Sequence, residues 1–206
     1  MDHENLIELI NNQRKSKGFY CTSELLKLCE MGNTILDPFS TLISESVDIG
    51  VGNIFYPCTT LEVRHSGLIS IGNDNIFYSQ SFLFAENGKI TIGSNNQFGD
   101  GGFSIKANFK NSEIIIGDNG RYLNGVQLLG KTNLGSGSQV IGNITAQDCN
   151  LSSGESFLYP DFNLRGGVLK GFGLARNITV NQGKVLNGEG NFNQSDMKDQ
   201  SFYHKK

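Results

Sequence analysis

The side chains able to move protons or hold phosphates are few in this chain and widely spaced. There are three histidines. His3 and His204 sit near the two ends, and His65 stands alone in the body, in the run Arg64-His65-Ser66-Gly67. An imidazole takes up and returns protons near neutral pH, and Glu62 and Glu86 are acidic groups that can face it. A second concentration of charge comes late, where Arg165, Lys170 and Arg176 offer guanidinium and ammonium groups of the kind that meet phosphates. Tetrahedral zinc ligation cannot be assembled from one central histidine, so no metal site is expected. The four cysteines (Cys21, Cys29, Cys58, Cys149) show no CxxC spacing and read as free, mostly buried thiols. Cys58 or Cys149 would be a nucleophile only beside a basic partner. Gly171-Phe172-Gly173-Leu174-Ala175-Arg176 is half of a dinucleotide fingerprint without its third glycine, and reads as a turn. Asp100, among Gly99, Gly101 and Gly102, also reads as a turn.

The framework that must position these groups is written as a repeat. An aliphatic residue followed by glycine recurs at Ile49, Ile71, Ile92, Ile116 and Leu134, with spacings of 22, 21, 24 and 18. Leu151-Ser152 is a weaker copy. Four residues beyond each marker stand Asn53, Asn75, Asn96, Gly120 and Ser138. Six beyond stand Phe55, Phe77, Phe98, Tyr122 and Val140, then Phe157 after Leu151. Twelve beyond stand Leu61, Leu83, Ser104, Leu128 and Ala146. An apolar residue at every sixth position describes a short strand, a tight turn and another strand, so that three strands complete a coil. Stacked coils then pile like residues into an aliphatic, an aromatic and a leucine ladder. The excess over 18 falls just before the markers, around residues 64–67, 86–89 and 108–112, as polar loops budding from one corner. A right-handed β-helix with coils of about 22 residues is the alternative left open by the period.

Composition agrees with a solenoid. Twenty-six glycines and 23 asparagines suit chain reversals that need φ > 0. Seventeen basic against 20 acidic residues give a net charge of −3, which argues against a non-specific nucleic-acid binder. No apolar run approaches the length of a membrane span. The opening residues lack the basic and apolar regions of a secretory signal, so a cytoplasmic protein is expected.

The stretch Gly88-Lys89-Ile90-Thr91-Ile92-Gly93-Ser94-Asn95-Asn96 resembles coils of polysaccharide-tailoring O-acetyltransferases. Asp37-Pro38, Val47-Asp48-Ile49-Gly50 and Tyr56-Pro57 are similar to the opening coils of the acetyltransferase half of N-acetylglucosamine-1-phosphate uridylyltransferase. Residues 35–190 thus resemble the hexapeptide-repeat superfamily. That resemblance implies a left-handed parallel β-helix, a homotrimer, acetyl-CoA as co-substrate in a groove between subunits, and a sugar or nucleotide-sugar acceptor. It implies His65 as general base, with Glu62 or Glu86 orienting its ring and Arg64 near a phosphate. It implies Arg165, Lys170 and Arg176 as the cofactor-binding cations. A catalytically silent trimer that binds a partner or glycan through its flat faces is the reading from another class. Outward Tyr56 and Tyr78 suit a subunit interface.

The expected organisation is a helical cap over residues 1–33, the β-helix over 34–192, and a polar, mobile tail over 193–206. Leu6, Ile7, Leu9 and Ile10, then Leu25, Leu26, Leu28 and Cys29, carry helical spacing. Thr22 or Ser23 is the expected cap of the second helix and Gly32 its stop.

Overall fold

The computed structural model of the chain describes residues 3–203. It is a parallel β-solenoid closed at one end by two helices, α1 (His3–Ser16) and α2 (Thr22–Glu30). Successive short strands fall on three faces. The first face begins with Thr34–Ile35 and Ile54–Phe55, the second with Leu42–Ile43 and Thr60–Val63, and the third with Asp48–Ile49 and Leu68–Ile71. The third face is a seven-stranded sheet. The long strand Val168–Arg176 bends around a corner and joins the first and second faces into one continuous sheet.

The ladders form as the period requires. Ile49, Ile71, Ile92, Ile116, Leu134 and Leu151 are register partners up the third face. Phe55, Phe77, Phe98 and Tyr122 follow one another up the first, with ring centroids 5.2, 4.9 and 5.3 Å apart and nearly parallel planes. All four rings are fully buried. Such offset stacks add to the burial of the rings themselves.

Two expected ladder positions are corrected. Ile105, not Ser104, stands between Leu83 and Leu128. The loop of Gly99 to Gly102 adds one residue, and a one-residue slip in a strand exchanges inner and outer faces. Phe157 does not continue the aromatic ladder either. After Ser152 the chain leaves the solenoid and returns at Val168, so Leu169 stacks on Val140.

A feature not expected from spacing runs beside the aromatic stack. Asn33, Asn53, Asn75 and Asn96 are buried one above another. The amide nitrogens of Asn53, Asn75 and Asn96 donate to the side-chain carbonyl oxygen of the asparagine in the coil before, at 3.0–3.1 Å, and that of Asn33, the first, donates to the Leu28 carbonyl at 3.3 Å. Each also donates to a glycine carbonyl of the next coil, as Asn75 does to Gly93 at 2.9 Å. The ladder stops at Gly120, where the Tyr122 hydroxyl fills the space a side chain would need and bonds to Ser138 at 3.0 Å.

The cap docks through Leu25 and Leu28, which belong to the same core as Ile35 and Ile43. Its N-terminus is not capped by a hydroxyl as expected. The helix begins at Thr22, with Cys21 before it. The Glu24 carboxylate accepts from the Cys21 N–H at 2.8 Å, and Asn11 Oδ1 accepts from Thr22 N–H at 3.0 Å. Gly32, with φ +98°, follows the end of the helix. Leu6, Ile7 and Leu9 of α1 are exposed. That helix is held instead by Arg14, whose buried guanidinium donates to the carbonyls of Pro38, Phe39 and Thr41 at 2.8–3.1 Å.

At the far end the segment expected as a mobile tail folds back. Met197–Asp199 pairs antiparallel with the last coil, and the buried Gln200 donates to the Gly166 carbonyl at 2.7 Å. This covers strand groups that would otherwise remain an open edge. Residues 204–206 of the expected tail lie outside the described residues.

Candidate functional site

Two places gather functional groups. The first is the corner between the second and third faces, where the loops of the early coils emerge. His65 lies there with φ +49°, the left-handed corner conformation that ten other non-glycine residues among the described ones, Asp74 and Asp100 included, also adopt. Its Nε2 is 3.5 Å from Glu86 Oε1, one coil on. Glu62 does not face the ring. It holds Arg64 at 2.6 Å, and the Arg64 guanidinium also lies over Phe84. Beside His65 an open groove of about 600 Å³ runs down the third face, lined by Ser66, Asn87, Asn111, Lys89, Glu113 and Lys131 among others. Amides, both charge signs and the aliphatic Leu68 and Ile115 are a lining that can hydrogen-bond a polyol and lie along its C–H faces.

The second place is a hollow of about 420 Å³ on the first face in the last coils. Its floor is the outward side of four strands, carrying Arg121, Gln139, Ile141, Val168, Lys170 and Val185. Its roof is Phe157 and Arg165 from the excursion between Ser152 and Val168, and its end wall is Gln200 and Tyr203 of the folded-back segment. The Arg121 guanidinium lies 4.2 Å from the centre of the Phe157 ring, and its Nε is buried with no hydrogen-bond partner. Arg165 lies 4.2 Å from the centre of the Phe162 ring and donates from Nε to the Tyr159 carbonyl at 2.7 Å. Burial lowers the Arg165 pKa from its ordinary value, yet a guanidinium stays charged. Arg165 and Lys170 both line this one hollow. Arg176 does not join them; it stands at the end of the second face and donates to Gln147 Oε1 at 3.2 Å.

Sequence reading missed Arg121, Phe157, Gln200 and Tyr203 as members of this site. Arg121 precedes a ladder residue and so had to face outward, but nothing in the period shows that a loop folds over it.

Other candidates resolve structurally. Cys149 is buried, burial raises its thiol pKa, and its S–H group faces the Ala175 carbonyl at 3.3 Å. Cys58 is exposed, and all four cysteines are free. Gly171 and Gly173, at φ +116° and +124°, form the corner at which one strand bends between two faces. A Cβ on either would strike the carbonyls of Gly188 and Gly190 in the next coil. These glycines serve stacking, and the fingerprint likeness is incidental. Asp100 is an exposed corner residue at φ +49°. Among the described residues no group of three or more His, Cys, Asp or Glu is placed to hold a metal ion, and no helix is long and apolar enough to cross a membrane.

No protein-family model and no curated protein sequence matches the chain. Among solved structures it is similar to LpxA from Acinetobacter baumannii, at a TM-score of 0.30 and 15% identity, covering 76% of this chain and 69% of that one. It is also similar to UDP-N-acetylglucosamine O-acyltransferase (LpxA) from Moraxella catarrhalis, at a TM-score of 0.32 and 13% identity, covering 82% and 72% respectively.

Proposed function

We propose that the chain is an acyltransferase-like protein that carries an acetyl group from CoA to a hydroxyl or amine of a sugar or nucleotide sugar. The observation that carries this reading is the setting of His65: a corner loop whose next residue, Ser66, lines a polar groove, with the Glu86 carboxylate 3.5 Å from the His65 ring. The acceptor lies in the groove. His65 removes the acceptor proton as its oxygen or nitrogen bonds to the thioester carbon, the C–S bond breaks, and the proton passes on to the departing thiolate. Glu86 orients the ring. Arg165 and Lys170 supply charge for the donor's phosphates.

His65 and the cationic hollow lie on different faces and at different levels of one chain, and in this reading the working unit is a homotrimer in which a neighbour brings such parts to one groove. Tyr56 and Tyr78, 5.2 Å apart on the first face, belong to that contact. The cytoplasm supplies the donor.

The test is release of free CoA thiol from acetyl-CoA in the presence of a panel of sugars and nucleotide sugars. Loss of a general base lowers such rates by about 10²- to 10⁴-fold, so His65→Ala abolishes measurable release while Glu86→Gln lowers it less. Release that survives His65→Ala intact rejects this mechanism. The second reading, a catalytically silent trimer, is favoured by the 69% exposure of the His65 side chain. It stands if no acceptor elicits release and acetyl-CoA leaves the melting temperature unchanged.

A further inference from the structure

The hollow over the first face has a composition of its own. Arg121, Arg165 and Lys170 line it, and none of the lining residues is a carboxylate. The rest of the lining is largely apolar: Ile141, Val168, Val185, Phe157 and Tyr203. Two of the three cations lie over rings, Arg121 over Phe157 and Arg165 over Phe162, each 4.2 Å from the ring centre. A guanidinium packed on a ring loses little freedom on binding, and its N–H fork can meet two oxygens of a phosphate. Placing like charges together around an apolar floor costs folding energy unless an anion offsets it. The volume falls within the range of small-molecule sites.

We infer that this hollow is a binding site, complete within one chain, for the phosphoryl group of a ligand with a flat or apolar body, and that Arg121 is its main anion contact. The phosphoryl group is held between Arg121, Arg165 and Lys170, and the body lies on Val168 and Val185 beneath Phe157 and Tyr203. The site depends on the return of the C-terminal segment, since Gln200 ties that segment to Gly166 and to the Lys184 carbonyl. The inference deepens the donor-binding part of the proposed function, but it concerns binding alone and does not need turnover.

The experiment is calorimetric titration of the full chain with inorganic pyrophosphate, a nucleoside diphosphate and CoA, each separately. Saturable one-to-one binding of at least one is expected. Nucleoside diphosphate or CoA binding tighter than that of pyrophosphate identifies the body that the apolar floor accepts, whereas binding of pyrophosphate alone overturns the assignment of an apolar body. Arg121→Gln and Lys170→Gln each weaken binding by 10-fold or more, while Lys106→Gln, on the second face, leaves it unchanged. Arg121→Lys keeps the charge but loses the fork, and weakens binding several-fold even if Arg121→Gln folds poorly. Absence of binding by all three probes, or binding indifferent to both Arg121 variants, overturns the inference. His65→Ala leaves binding intact, so failure of acyl transfer and failure of this site are told apart.

Discussion

Replacing Asn75 with alanine tests how the solenoid is held together. The Asn75 side chain is fully buried. It donates to Asn53 Oδ1 at 3.0 Å and to the Gly93 carbonyl at 2.9 Å, and accepts from the Asn96 backbone and side-chain N–H groups, both at 3.0 Å. Alanine leaves both Asn96 donors and the Gly93 carbonyl without this partner, while Asn53 Oδ1 retains the Asn75 backbone N–H at 3.0 Å. At about 1 to 3 kcal/mol for each of the three buried polar groups stranded, the expected cost is roughly 3 to 9 kcal/mol. That is a large part of the stability of an ordinary domain, about 5 to 15 kcal/mol. Asn133 supplies the control, since its amide donates across coils to Asn150 Oδ1 at the same 3.0 Å but on an exposed face. Asn133→Ala should change stability by under about 1 kcal/mol, because water replaces the lost bond. Urea unfolding followed by circular dichroism measures both, and hydrogen exchange at the Asn96 amide reports the local opening. A loss of less than about 1 kcal/mol for Asn75→Ala, or equal losses at both sites, would refute burial as the source of the ladder's strength.

Three further predictions follow from geometry. Ile105→Ala should cost about 2 to 5 kcal/mol and Ser104→Ala under about 0.5 kcal/mol in the same urea assay; the opposite order would reverse the strand register described above. The Lys15 ammonium at 2.6 Å, with the Cys21 N–H, pulls the Glu24 carboxyl from 4.5 down to about 2. A carboxyl lowered on folding stabilises above its unfolded value, and that contribution disappears as pH falls from about 4.5 toward 2. Glu24→Gln should therefore flatten the fall in thermal midpoint across this window, and an unchanged acid limb would contradict the pairing. Replacing Tyr56 and Tyr78 together with aspartate should give monomers in light scattering; a trimer mass in the double variant would reject the assigned interface.

The recurrence of Ile49, Ile71, Ile92, Ile116 and Leu134 was enough to determine stacked coils, because a solenoid repeats one packing problem and the same side-chain types solve it each time. Phe55, Phe77 and Phe98 were legible as a core stack for the same reason, as were the corner loops and the isolation of His65 in one of them. The period could not place Ile105, since a single extra residue in a glycine-rich turn is invisible until the strands pair. Nor could it show that Glu86 rather than Glu62 faces His65, which depends on how far each loop projects. Least legible was the hollow. Arg121, Phe157, Arg165, Lys170 and Tyr203 come together only because the chain departs from its repeat after Ser152 and its last residues turn back. Periodicity encodes contacts between like coils, whereas this site is built from contacts between unlike segments, which tertiary folding alone decides.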